Sequence, residues 1–92
     1  MIDVYFKAYK EMADHRLAAT PEILGKLLAD CRKTKGLTQG QLGERMGVRQ
    51  ATVSKLERDP RACRLDTLYR AISALDLELQ ISDRATIPDT SW

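Results

Sequence analysis

Ninety-two residues, 43% of them hydrophobic and 30% charged, are enough for one small domain and give little capacity to bury apolar area without a second copy. The net charge of +2 is unevenly spread: residues 21–63 hold nine Lys/Arg against five Asp/Glu, residues 1–20 balance, and residues 64–92 are net acidic. No apolar run has the length of a signal peptide or membrane span, which predicts a cytoplasmic location, and two cysteines with a single histidine form no zinc spacing.

Ile2, Phe6, Tyr9, Met12 and Ala13 recur at helical spacing and predict an amphipathic helix through about Arg16, within an N-terminal extension of residues 1–19. Ile2 to Phe6 also alternate apolar with polar, so a strand over residues 2–6 is the competing expectation. Either form would serve a local core, dimerisation or a second protein. The main domain is expected over residues 20–82. Thr20 opens it as a helix cap and Pro21 follows at the first helical position. Ile23, Leu24, Leu27, Leu28 and Cys31 form the apolar stripe of this helix, which ends near Lys35 and Gly36. Cys31 reads as a core thiol, and Arg32, Lys33 and Lys35 gather where the helix dipole favours cations.

The segment from Thr38 to Glu57 reads TQGQLGERMGVRQATVSKLE. Thr38 and Gln41 have the spacing of a capping box, so a helix starts at Gln39 and buries Leu42 and Met46. Gly47 supplies a left-handed helix end, Val48 packs beneath the turn, and a second helix runs from about Arg49 or Gln50 to Glu57 with Val53 and Leu56 inward. Two short helices joined in this way form a helix-turn-helix, which lays its second helix in the major groove of duplex DNA. The outward residues suit that partner. Arg49, Gln50, Ala51 and Lys55 match base edges, while Thr38, Thr52, Ser54, Arg58 and Arg61 match the phosphate backbone. A solvated helix face has a similar composition, so the capped first helix and the Gly47 turn decide in favour of DNA.

Arg58 to Arg64 read as a loop broken at Asp59-Pro60, with Cys63 inside it. A further helix is expected from Leu65 or Asp66 to Leu75, with Leu65, Leu68, Ile72 and Leu75 inward. Residues 77–81 then alternate as a strand, whose backbone groups need a mate. A two-fold copy could provide it through Leu77, Leu79 and Ile81, and residues 2–6 are the alternative. Residues 83–92 are polar and interrupted by Pro88, which predicts a flexible tail; Trp92 either dangles from it or anchors a partner protein. The expected fold is therefore mainly α, with four to five helices and a short C-terminal strand pairing across a dimer. No nucleophile with its base, paired-carboxylate site, phosphate loop, metal site or cofactor site is legible, and no enzyme is expected.

The TQ…L…G…LE pattern resembles the Xre/lambda-repressor-like helix-turn-helix family over about residues 21–75, most specifically over Thr38–Glu57. This resemblance implies that Gln39 contacts phosphate, that Gln50 reads the first base, and that Ala51 and Lys55 read further ones. Replacing Gln39 should then weaken all sequences alike, whereas replacing Gln50 should change base preference. Gly43 departs from the alanine usual in the family, which either weakens its helix by about 1 kcal/mol or tightens its packing. QATVSKLE, the LELQI segment and a short tail ending in Trp92 further resemble HipB-type antitoxins. That likeness implies a homodimer that represses its own operon through a palindromic operator and holds a HipA-like kinase toxin. The alternatives are a solitary Xre-family or phage-type repressor, or a protein-binding module with secondary DNA binding.

Overall fold

Local alternation prevails over helical spacing at the start of the chain. In the computed structural model, which describes residues 2–8 and 15–83, Ile2–Ala8 form strand β1 and His15–Leu17 form strand β2. The helix expected through Arg16 is therefore corrected at both described ends; the positions of Tyr9, Met12 and Ala13 lie outside the described residues. The reason is non-local. β3, Leu77–Asp83, runs antiparallel to β1 along its whole length, with Val4 opposite Ile81 and Phe6 opposite Leu79. A run of Ile, Val, Tyr and Phe beside a strand with unsatisfied backbone groups is stabilised more as a strand than as a short helix. β2 pairs with the other side of β1, giving the order β2-β1-β3 and leaving β3 at a sheet edge. The mate of the C-terminal strand is thus residues 2–8 of the same chain, the alternative of the two expected.

Between β2 and β3 lie four α-helices, α1 Pro21–Thr34, α2 Gln39–Met46, α3 Gln50–Arg58 and α4 Leu65–Ala74, with a 3₁₀ turn at Pro60–Ala62. Their limits follow from local chemistry. The Thr20 hydroxyl accepts the Ile23 N–H at 3.2 Å and Pro21 occupies the first turn of α1. Both halves of the Thr38–Gln41 capping box are made, at 3.0 and 2.9 Å. Gly47 ends α2 with φ 75°, a left-handed conformation open to glycine without strain. Asp76 adopts φ 56° between α4 and β3, where the chain reverses into the sheet.

Leu27, Leu28, Leu42, Met46, Val53, Leu56, Ala71, Ile72, Leu75 and Leu77 form one core. Every helix contributes to it, and Leu77 joins the sheet to it. Two expected core positions lie elsewhere: Leu65, in the first turn of α4, is 67% exposed, and Ile23 is also exposed on α1. Each stands in the first turn of its helix. Cys31 and Cys63 are both half-buried. Gly25 allows α1 to approach α3 closely, since a Cβ there would collide with the Glu57 carbonyl oxygen.

Candidate nucleic-acid interface

α3 owes its orientation to Val53 and Leu56, both fully buried, which leave the opposite side of the helix to solvent. At about 100° per residue, Gln50, Ser54, Arg58, Ala51 and Lys55 fall within an arc of roughly 140°. Of these, Gln50, Ala51, Lys55 and Arg58 are exposed and Ser54 is half-buried, and exposed Arg49 caps the helix just before the arc begins. Thr52 lies outside the arc, on the flank beside Leu56, and is half-buried. The structure therefore brings together most of the expected face and sets Thr52 apart from it.

The remaining positions divide by what already engages them. Thr38 is exposed; its hydroxyl accepts the Gln41 N–H and keeps its own hydrogen to donate. Arg61 is turned away, towards Asp59 at 3.2 Å and Glu22 at 3.5 Å, and Arg64 lies 3.2 Å from Asp66. The Arg64 guanidinium holds the Asp66 carboxyl below the usual carboxylate range, chiefly by hydrogen bonding to it. Leu77, Leu79 and Ile81 lie in β3 with decreasing burial, Ile81 being 61% exposed. Trp92 lies outside the described residues.

Beneath the face is a polar chain that begins at Arg32. The Arg32 Nε donates to Glu57 Oε2 at 2.6 Å, its Nη2 to Glu57 Oε1 at 3.2 Å, and its Nη1 to the Leu37 carbonyl at 2.8 Å. Gln39 Nε2 donates to Glu57 Oε1 at 3.0 Å, and Gln50 Nε2 donates to Gln39 Oε1 at 3.1 Å. Arg32 and Glu57 are almost fully buried, so the pair is held away from water while Gln50 is at the surface. Arg32 thus does not join the solvated cations at the end of α1, as its sequence neighbours had suggested. A signal was present: it stands four residues after the buried Leu28, on the same helical face.

Gly43 resolves the choice left by its sequence. It is buried, and a Cβ there would lie 2.8 Å from the Val48 carbonyl oxygen, so its absence brings α2 tight against the turn into α3. Among the described residues there is no group of His, Cys, Asp and Glu able to hold a metal ion, and no helix long and apolar enough to cross a membrane.

Residues 28–81 match the family model described as helix-turn-helix. Antitoxin HipB of Escherichia coli strain K12 is 30% identical over 64 residues, covering 70% of this chain and 73% of its own. Antitoxin HipB of Escherichia coli O6:H1 is 27% identical over 73 residues, or 79% of this chain and 78% of its own. Antitoxin HigA1 of Mycobacterium tuberculosis strain H37Rv is 46% identical over a shorter stretch, 54% of this chain and 34% of its own. Among solved structures, a HipA-HipB-O2-O3 complex contains a chain similar to this one with a TM-score of 0.67 and 29% identity, over 71% of this chain and 92% of that one. A HipB-O4 20mer complex gives a TM-score of 0.66 with the same identity and coverage.

Proposed function

As this chain belongs to the helix-turn-helix family and, within it, to the HipB-type antitoxins, we propose that it is a dimeric, sequence-specific DNA-binding repressor that also holds a HipA-type kinase toxin. The observation that carries this reading is the exposed arc of α3, set by a fully capped α2 and the Gly47 turn, in a fold shared with HipB as it occurs in complexes with HipA and with operator DNA.

In this reading α3 enters the major groove. Gln50 meets the first base, Ala51 and Lys55 meet the next, and Arg49 stands beside them; Gln39, Thr38, Ser54 and Arg58 contact phosphates. Thr52 and Arg61 have the weaker geometry, the first from the flank of α3 and the second only by leaving Asp59 and Glu22. The dimer forms through the outer edge of β3, where Leu79 and Ile81 extend the apolar face begun by Leu77, so that two copies join their sheets around a two-fold axis. Trp92 provides a large apolar anchor for the toxin. The chain acts in the bacterial cytoplasm, as a binding protein and without catalysis of its own.

The test is in two parts, both with the full chain. Selection from a pool of randomised duplexes should enrich a palindromic sequence, and affinity capture from the native cell should recover a HipA-like kinase. Uniform recovery of the duplex pool would refute the repressor role; capture without a kinase, from cells that contain one, would refute the antitoxin role.

A further inference from the structure

The polar chain from Arg32 to Gln50 has a direction, and Glu57 sets it. A carboxylate only accepts hydrogen bonds, so the end of Gln39 that faces Glu57 Oε1 must be its amide NH₂. The Gln39 oxygen then faces Gln50, which must answer with its own NH₂. One buried charge thereby fixes the orientation of two amides whose ends are otherwise interchangeable. Arg32 makes this possible by occupying both oxygens of Glu57 with two donors and anchoring its third donor group on Leu37.

The consequence is carried to the surface. With one N–H given to Gln39, Gln50 keeps its second N–H and its carbonyl oxygen for a base, with donor and acceptor in a fixed order. Adenine presents the complement of that pair in the major groove, an N7 acceptor beside an N6 donor. Gln39 in turn keeps one N–H for a phosphate. The two glutamines therefore act as one unit, and replacing Gln39 should alter base preference as well as affinity, contrary to what its phosphate contact alone would suggest.

We propose that Glu57, neutralised by Arg32, is a positioning residue that sets the donor–acceptor order of the Gln39–Gln50 pair and thereby the base that Gln50 selects. This rests on α3 reading duplex DNA. In Glu57→Gln, the new amide oxygen keeps the shorter of the two Arg32 bonds, that from Nε, so its NH₂ takes the place of Oε1: Arg32 Nη2 loses its acceptor there, and Gln39 must turn its oxygen towards the new donor. Both glutamine amides then reverse, and the order shown to the base reverses with them.

The experiment uses the full chain and the duplex that it selects from a randomised pool. Fluorescence anisotropy against every single base-pair change identifies the pair whose discrimination is lost in Gln50→Ala. At that pair, Gln39→Ala and Glu57→Gln should each reduce discrimination by about tenfold, within the range for losing one bidentate contact. A fresh selection with Glu57→Gln should enrich a different base there, while discrimination at pairs that do not depend on Gln50 persists. A merely structural role would weaken all positions together and leave the selected base the same. Undiminished discrimination in Gln39→Ala, which leaves the buried ion pair in place and tests the relay even if Glu57→Gln fails to fold, would overturn the proposal; so would an unchanged selected base in a folded Glu57→Gln. If the unmodified chain enriched no duplex, the DNA reading itself would fall, and the relay with it.

Discussion

A guanidinium can be buried here because each of its donor groups has an acceptor: two reach Glu57 and the third reaches the Leu37 carbonyl. Removing one member of such a pair leaves the other charged and unpartnered, so Arg32→Ala should lose about 3–5 kcal/mol by urea denaturation. A loss below about 1 kcal/mol would mean that water replaces the guanidinium freely. Gly43 illustrates a different balance. Alanine would add about 1 kcal/mol of helix propensity, but its Cβ meets a backbone carbonyl that cannot rotate aside, and overpacking of this kind costs about 1–3 kcal/mol. Gly43→Ala should therefore be destabilising on balance, by about 1 kcal/mol, and a rise in Tm would show that the turn at Val48 yields. The departure from the usual alanine was visible in the sequence, whereas its sign depended on a contact between α2 and the following turn. The Arg32–Glu57 pair was concealed for a similar reason: its members are twenty-five residues apart and neither has an unusual local setting.

Among the elements, those whose ends are specified locally were the legible ones. Thr20-Pro21, the Thr38–Gln41 box and Gly47 act within one turn of the helix that each delimits, and all three do in the fold what their spacing predicts. Thr38→Ala should consequently cost about 1 kcal/mol, read as a fall in Tm, and should weaken DNA binding further if the entry of α2 shifts. β1 is the opposite case. Its sequence fits helical spacing and alternation alike, and the choice is made by β3, about seventy to eighty residues away in chain order. Leu65 and Ile23 fit the inward periodicity but stand in first turns, where periodicity does not tell how far the neighbouring layer extends.

At the scale of the whole molecule, the proposed reading divides two tasks between the basic middle of the chain, whose α3 would meet DNA, and the acidic C-terminal third, whose strand edge would meet a second copy. Ile81 is exposed in the single chain, so Ile81→Lys should leave the fold intact while placing like charges near the two-fold axis and disfavouring strand pairing. Sedimentation equilibrium should then show a monomer where the unmodified chain is a dimer; an unmodified chain that stays monomeric at high concentration would remove the edge-pairing arrangement. A dimer would place its two α3 helices about 34 Å apart, matching successive major grooves on one side of the duplex. The central claim, that α3 reads a specific duplex, is tested most directly by titrating the full chain at fixed salt with the DNA immediately upstream of its own gene and with a scrambled duplex of the same length. The expected result is an affinity for the upstream duplex at least about a thousandfold higher, with most of the selectivity lost in Gln50→Ala. Equal affinity for both duplexes, or full selectivity in Gln50→Ala, would contradict it.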